Sequence, residues 1–226
     1  MLQERPAEAP RVPSVVVFDV GQVLLNWDPR HLYRRIIPDP DRMEWFLAHV
    51  CPDTWNRSLD GGRPWDEALA ERIALHGGWA DEIRAYRARW QEMVPDAIGA
   101  NVALLARLKA AGVPVYAITN FAGDLFRETQ DRFPFLKSFD GVVVSGDEGL
   151  LKPDPAIYRL FLARFGLRAE ACLFIDDSPA NVAGARDVGM TAIQYRSGDD
   201  LAAACARLGL LPVNATSTIP ARPVDP

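Results

Sequence analysis

Short runs of β-branched and apolar residues recur along the chain. Between them, apolar positions repeat every three to four residues. The runs at 14–18, 113–118, 141–144, 171–175 and 191–195 show little polar alternation. Such runs suit strands of a parallel sheet covered on both faces. Helical stripes separate the last four. In 98–111, Ile98, Val102, Leu105 and Leu108 share one face, and in 155–166 Ile157, Leu160, Phe161 and Arg164 do so. Asp154-Pro155 and Ser178-Pro179 each place a capping side chain before a first-turn proline. This alternation predicts an α/β fold, a doubly wound parallel sheet of Rossmann-like form with right-handed crossovers.

The alternation breaks after the first run. From Pro29 to Ala97 the pattern holds no strand, only helical stripes in 30–37, 40–51, 64–77 and 79–93. Five of the six tryptophans fall there, at 45, 55, 65, 79 and 90. The expected organisation is a core of residues 14–28 and 98–211 with a small helical cap inserted at 29–97. The plainer alternative is a helical layer packed on the sheet without function. Flexible tails are expected at 1–13 and 212–226, where proline and polar residues concentrate. At 226 residues the chain has room for one ordinary domain and about half of another.

Composition narrows the function classes. The 25 basic and 30 acidic residues give a net charge of −5, and no basic block stands out. A nucleic-acid or anionic-membrane partner is therefore not expected. No stretch reaches the about 18 consecutive apolar residues of a membrane span, and no apolar run precedes Ser14 as a secretory signal would require. The three cysteines, Cys51, Cys172 and Cys205, share no metal or redox spacing. Cys205 falls on a helical stripe with Leu201 and Leu208, which reads as core. Together these features suggest a reducing, cytoplasmic setting, as a monomer or homodimer.

In an open α/β sheet the site lies at the carboxyl ends of the strands. Asp19 follows the first run there, and Thr119-Asn120 the second. Lys152-Pro153-Asp154-Pro155 lies beyond the third, and Asp176-Asp177 follows the fourth. Each has an ordinary reading as a cap, a turn or an exposed loop. Their convergence on one edge changes that reading. Several carboxylates at close range repel unless a cation or proton lies between them. Their oxygens suit a hard cation such as Mg²⁺, and a lysine with a hydroxyl opposite suits a phosphate.

The order Asp, Thr, Lys, acidic pair resembles the signature of the haloacid dehalogenase superfamily. The resemblance runs over about residues 14–210, through VVVFDVGQVLLNWDP, VYAITN, LLKPDPAIY and CLFIDDSPANVAGARDVGM. It implies a hydrolase of the phosphatase type with a helical cap, most similar to the sugar-1-phosphate phosphatase group. On that resemblance Asp19 is the nucleophile and forms an aspartyl-phosphate. Thr119 and the Asn120 backbone N–H hold phosphate oxygens, and Lys152 neutralises the nucleophile and the transferring group. Asp19, Asp176, Asp177 and the backbone carbonyl of Gly21 hold Mg²⁺, with Asn181 available to orient them.

One position departs from the pattern. Most phosphatases of the superfamily carry a second Asp two residues after the nucleophile, to protonate the leaving oxygen and then activate water. Here that residue is Gly21, so the acid must come from substrate, water or cap. His31, close in sequence to the expected hinge, is the histidine to consider. Two alternatives stand beside the phosphatase: a 2-haloacid dehalogenase, and a non-catalytic phosphometabolite-binding or regulatory protein on the same fold. Specificity falls to the cap. Trp55-Asn56-Arg57, which follows an expected turn between cap helices at Cys51-Pro52-Asp53, offers a small phosphorylated substrate Trp55 to stack on a sugar and Arg57 to pair with an anionic group. Linkers near 28–30 and 95–98 are the expected hinges.

Overall fold

The computed structural model describes residues 12–212. All of the expected tails except residues 12, 13 and 212 lies outside them. Five strands form one parallel sheet: β1 (Val15–Phe18), β2 (Val115–Thr119), β3 (Gly141–Val144), β4 (Cys172–Asp176) and β5 (Thr191–Gln194). Their order is β3-β2-β1-β4-β5. The chain thus winds outward from β1 to β3, crosses back, and winds outward again through β4 and β5. The strands fall where the apolar runs place them, with Thr119 and Asp176 as the last residues of theirs.

The helices are α1 (Arg30–Ile36), α2 (Pro40–His49), α3 (Asp53–Asp60), α4 (Trp65–Leu75), α5 (Ala80–Ala88), α6 (Gly99–Ala110), α7 (Gly123–Arg132), α8 (Ser145–Glu148), α9 (Pro155–Phe165), α10 (Pro179–Asp187) and α11 (Leu201–Arg207). Strand alternation splits the core into two layers. Val16, Phe18, Leu173 and Ile175 pack with Leu105 and Leu108 of α6 and with Leu201 and Cys205 of α11. Val15, Val17, Cys172 and Phe174 pack on the other face with Tyr158 and Phe161 of α9 and Val182 of α10. Both proline-led starts are capped as expected: the Asp154 carboxylate accepts from Ala156 N–H at 2.8 Å, and Ser178 Oγ accepts from Asn181 N–H at 3.5 Å.

Helices α1 to α5 follow β1 and precede α6. Their apolar centre joins Tyr33, Phe46, Trp55 and Tyr86, and it continues into Phe121, Leu125 and Phe126 beside the sheet. The segments on either side of this layer run together. Leu25 bridges Ala97, Asn26 N–H donates to Asp96 O at 3.1 Å, and Ile98 N–H donates to Leu24 O at 2.8 Å.

One helix, α3, was not expected: the turn at Cys51-Pro52 falls between α2 and α3, but the sequence reading placed no helical stripe between 51 and 64. The stretch Asp53–Asp60 holds only two large apolar residues, Trp55 and Leu59, too few to show a stripe. The helix is held by packing: Trp55 and Leu59 both lie in the apolar centre of the layer. After α3 the chain turns at Gly62, whose φ of +93° is a conformation for glycine. A Cβ there would stand 2.7 Å from the Gly146 carbonyl oxygen. The turn therefore seats the end of α3 directly on α8, which follows β3. Gly62→Ala is expected to lower stability by about 1–3 kcal/mol, read from urea unfolding midpoints; an unchanged midpoint would contradict the close docking.

Candidate active site

The sheet order changes direction beside β1, so the crevice at the carboxyl ends of β1 and β4 is the switch point of the fold. Asp19 stands at one lip and Asp176 at the other. Asp19 is 7% exposed, and its Oδ1 accepts from the Val20 N–H at 2.7 Å. Lys152 has no exposed surface. Its ammonium bridges the crevice, 2.8 Å from Asp19 Oδ1 and 2.7 Å from Asp176 Oδ2. The Asn120 side chain grips the backbone of the same lysine: Oδ1 accepts from Lys152 N–H at 2.8 Å, and Nδ2 donates to Lys152 O at 3.1 Å.

The acidic pair divides into two environments. Asp176 is buried and saturated with donors: Lys152, the Ser178 N–H at 2.8 Å, and Asn181 Nδ2 at 3.0 and 3.1 Å to its two oxygens. Asn181 is held in turn by the Tyr158 hydroxyl, which donates to its carbonyl at 2.8 Å. Asp177 is only half-buried and faces the open end of the crevice. Ligand oxygens of Asp19, Asp176 and Asp177 lie within 4.8 Å of one another.

Charge at this spot is unbalanced, with three carboxylates around one ammonium. Burial raises the Asp19 carboxyl above its ordinary value; Lys152 opposes this, and Asp176 and Asp177 add to it. Burial and Asp176 raise Asp177 as well. Burial would lower Lys152, but the two carboxylates it touches outweigh that and hold it above its usual range. A hard cation bound by carboxylate oxygens would relieve the excess, so this donor set fits Mg²⁺. Thr119, the last residue of β2, is 1% exposed, and its Oγ1 has no hydrogen-bond partner. A buried hydroxyl left unpaired is uncommon in a folded protein.

The family model for haloacid dehalogenase-like hydrolases matches residues 13–189. The chain belongs to that family. This hydrolase is 30% identical over 199 residues to a sesquiterpene phosphatase of Aspergillus oryzae, covering 86% of this chain and 94% of that one. Its fold superposes with a TM-score of 0.69 on a family enzyme of Bacteroides thetaiotaomicron solved as a magnesium complex, at 19% identity over 86% and 98% of the two chains. It also superposes, with a TM-score of 0.59, on L-2-haloacid dehalogenase of Xanthobacter autotrophicus, at 22% identity over 87% and 83% of the chains.

In this hydrolase a cavity of about 210 Å³ opens over the crevice, between the sheet edge and the helical layer. Gly21, Asn120 and Asp177 line it from below, and Asp53, Asn56, Arg57 and Asp60 line it from α3. The α3 positions follow i, i+3, i+4, i+7 spacing, which is one helix face. Arg57 reaches the core as well, its Nη2 donating to Lys152 O at 3.2 Å. Trp55 does not reach the cavity. It is 3% exposed and packs edge-on against Tyr86 with ring centroids 5.0 Å apart. Trp27 and Trp90 line the cavity instead. His31 is not among the lining residues either.

Gln22, Asp53, Asp60 and Phe121 line the cavity but escaped the sequence reading. Gln22 has φ +56°, rare for a side chain of its kind, and its amide donates to the Trp27 carbonyl. No sequence signal marks it. Asp60 is the last residue of α3, and its signal is an acid where a base usually stands, just before Gly61-Gly62.

Proposed function

We propose that this hydrolase is a Mg²⁺-dependent phosphatase for a small organic phosphate, working through an aspartyl-phosphate on Asp19. One observation carries the reading: a buried ammonium joins Asp19 to Asp176 at the end of a sheet whose neighbouring strand ends in the unpartnered Thr119 hydroxyl. Asp19, Asp177 and the Gly21 carbonyl would hold the cation, with Asp176 in reach but already bound to Lys152. Bound there, Mg²⁺ screens the approach of one anion to another and stabilises transition-state charge.

The side chains then divide the work. An Asp19 oxygen attacks phosphorus in line with the leaving group. Thr119 donates to a phosphate oxygen, which satisfies its hydroxyl. Lys152, fixed by Asn120 and Asp176, favours the ionised form of Asp19 against burial and draws off charge as the ester bond breaks. Residues 29–97 act as the cap, and α3 supplies the polar face that meets the organic part of the substrate. The aromatic walls at Trp27, Trp90 and Phe121 and the sesquiterpene phosphatase relative extend the substrate range from sugar phosphates to terpenyl phosphates.

The dehalogenase alternative is disfavoured by charge, because Asp176 and Asp177 would repel a carboxylate substrate. The test is release of inorganic phosphate from a panel of sugar, aryl and terpenyl phosphates with Mg²⁺, beside halide release from 2-chloropropionate with EDTA. Phosphate is expected with Mg²⁺ and is lost with EDTA. Halide release, or no phosphate from any substrate, would overturn the proposal.

A further inference from the structure

Phosphoryl transfer to Asp19 leaves an alkoxide unless a proton arrives, and Gly21 has no side chain to supply it. The cavity holds another carboxyl. Asp60 lines it together with Gly21, Asn120 and Asp177. Its position is fixed from both sides. Asn56 Nδ2 donates to Asp60 Oδ2 at 3.0 Å, and the Tyr86 hydroxyl donates to Asn56 Oδ1 at 3.0 Å, which orients the amide. From the core, Ser145 Oγ donates to the Asp60 carbonyl, while accepting from Phe121 N–H at 2.8 Å. The end of α3 is thereby tied to the start of α8 and to the loop that carries Asn120.

We propose that Asp60 is the acid–base residue of this hydrolase, an inference that rests on the phosphatase reading of the Asp19 site. In the first step an Asp19 oxygen forms a bond to phosphorus as the ester bond breaks, and the Asp60 proton passes to the leaving oxygen, giving the free alcohol. In the second, water adds to phosphorus, the Asp19–phosphorus bond breaks, and the water proton returns to Asp60. Ester and water become alcohol and phosphate, and both carboxyl groups are restored.

The surroundings suit that exchange. Burial pushes the Asp60 carboxyl up to about 7, Asp53 adds to the rise, and Arg57, the Ala122 N–H and Lys152 pull it back. Tyr86, the other titratable group facing it, is held neutral by burial. The carboxyl also ends α3, where the helix dipole disfavours negative charge. A group that titrates near neutrality serves both as acid and as base.

The experiment uses phenyl, p-nitrophenyl and 2,4-dinitrophenyl phosphate with Mg²⁺, whose phenolates need progressively less protonation. Asp60→Asn is expected to lose about 10²–10⁴-fold in kcat/KM on phenyl phosphate and little on the dinitrophenyl ester. In the wild type kcat/KM on phenyl phosphate falls as pH rises through the Asp60 titration, and the variant loses that limb. Asp60→Glu restores part of the phenyl phosphate rate. Should Asp60→Asn fail to fold, Asp60→Ser gives the same leaving-group pattern. Equal losses on all three esters, or none, would overturn the assignment with the phosphatase reading intact. A wild type that releases no phosphate from these three or from the sugar and terpenyl esters overturns both.

Discussion

Asp19→Asn is expected to abolish phosphate release, by about 10⁴-fold or more, while the protein stays folded. The two effects separate because of what each oxygen does. Asn offers Oδ1 in the place where Asp19 Oδ1 accepts from Val20 N–H at 2.7 Å and from Lys152 at 2.8 Å. Both hydrogen bonds survive the substitution. Lys152 also keeps Asp176 as a charged partner, so no buried ion is left unpaired. The folded state loses a carboxylate that burial was already pushing toward its neutral form. What disappears is the nucleophile, since an amide oxygen attacks phosphorus poorly and brings no charge to the metal. Malachite-green assays on the substrate panel and thermal melts of both proteins check the two halves. Residual activity near the wild-type level would place the chemistry on another group. A large drop in melting temperature would mean that the charge of Asp19 supports the fold.

Asp19, Thr119, Lys152, Asp176 and Asp177 were legible in the sequence for one physical reason. Each is placed by a strand end or the loop beyond it, and apolar runs bounded by polar residues mark strand ends directly. The parallel sheet then brings residues more than 150 positions apart in the chain to one edge. The helical layer was legible as helices but not as a surface. Which face of α3 meets the cavity is decided by the packing of Trp55 and Leu59 into an apolar centre shared with Phe121 and Phe126. That packing turns Trp55 inward and Asp53, Asn56, Arg57 and Asp60 outward. With no helix expected between 51 and 64, the i, i+4 relation of Trp55 to Leu59, which marks both as core, went unread. Gln22 depends on a backbone conformation that its residue type does not announce.

Lys152→Met is expected to damage both stability and catalysis, and the pH dependence tells the two apart. The lysine is fully buried and is the cation that directly contacts Asp19 and Asp176 in the crevice. Methionine fills its volume but leaves Asp19, Asp176 and Asp177 facing one another. Breaking a buried ion pair by removing one partner costs about 3–5 kcal/mol, so the metal-free variant should unfold at clearly lower denaturant. Added Mg²⁺ should restore part of the loss, since a cation that binds only the folded site stabilises it. For catalysis the sign follows from the charge: Lys152 holds the Asp19 carboxyl down against burial and its acidic neighbours. Without the lysine the carboxyl rises further, and the ionised nucleophile forms only at higher pH. The acid limb of kcat/KM should therefore move upward in pH, beyond any drop in the plateau. A variant with unchanged stability and an unshifted limb would show that Lys152 neither neutralises the acids nor controls the nucleophile.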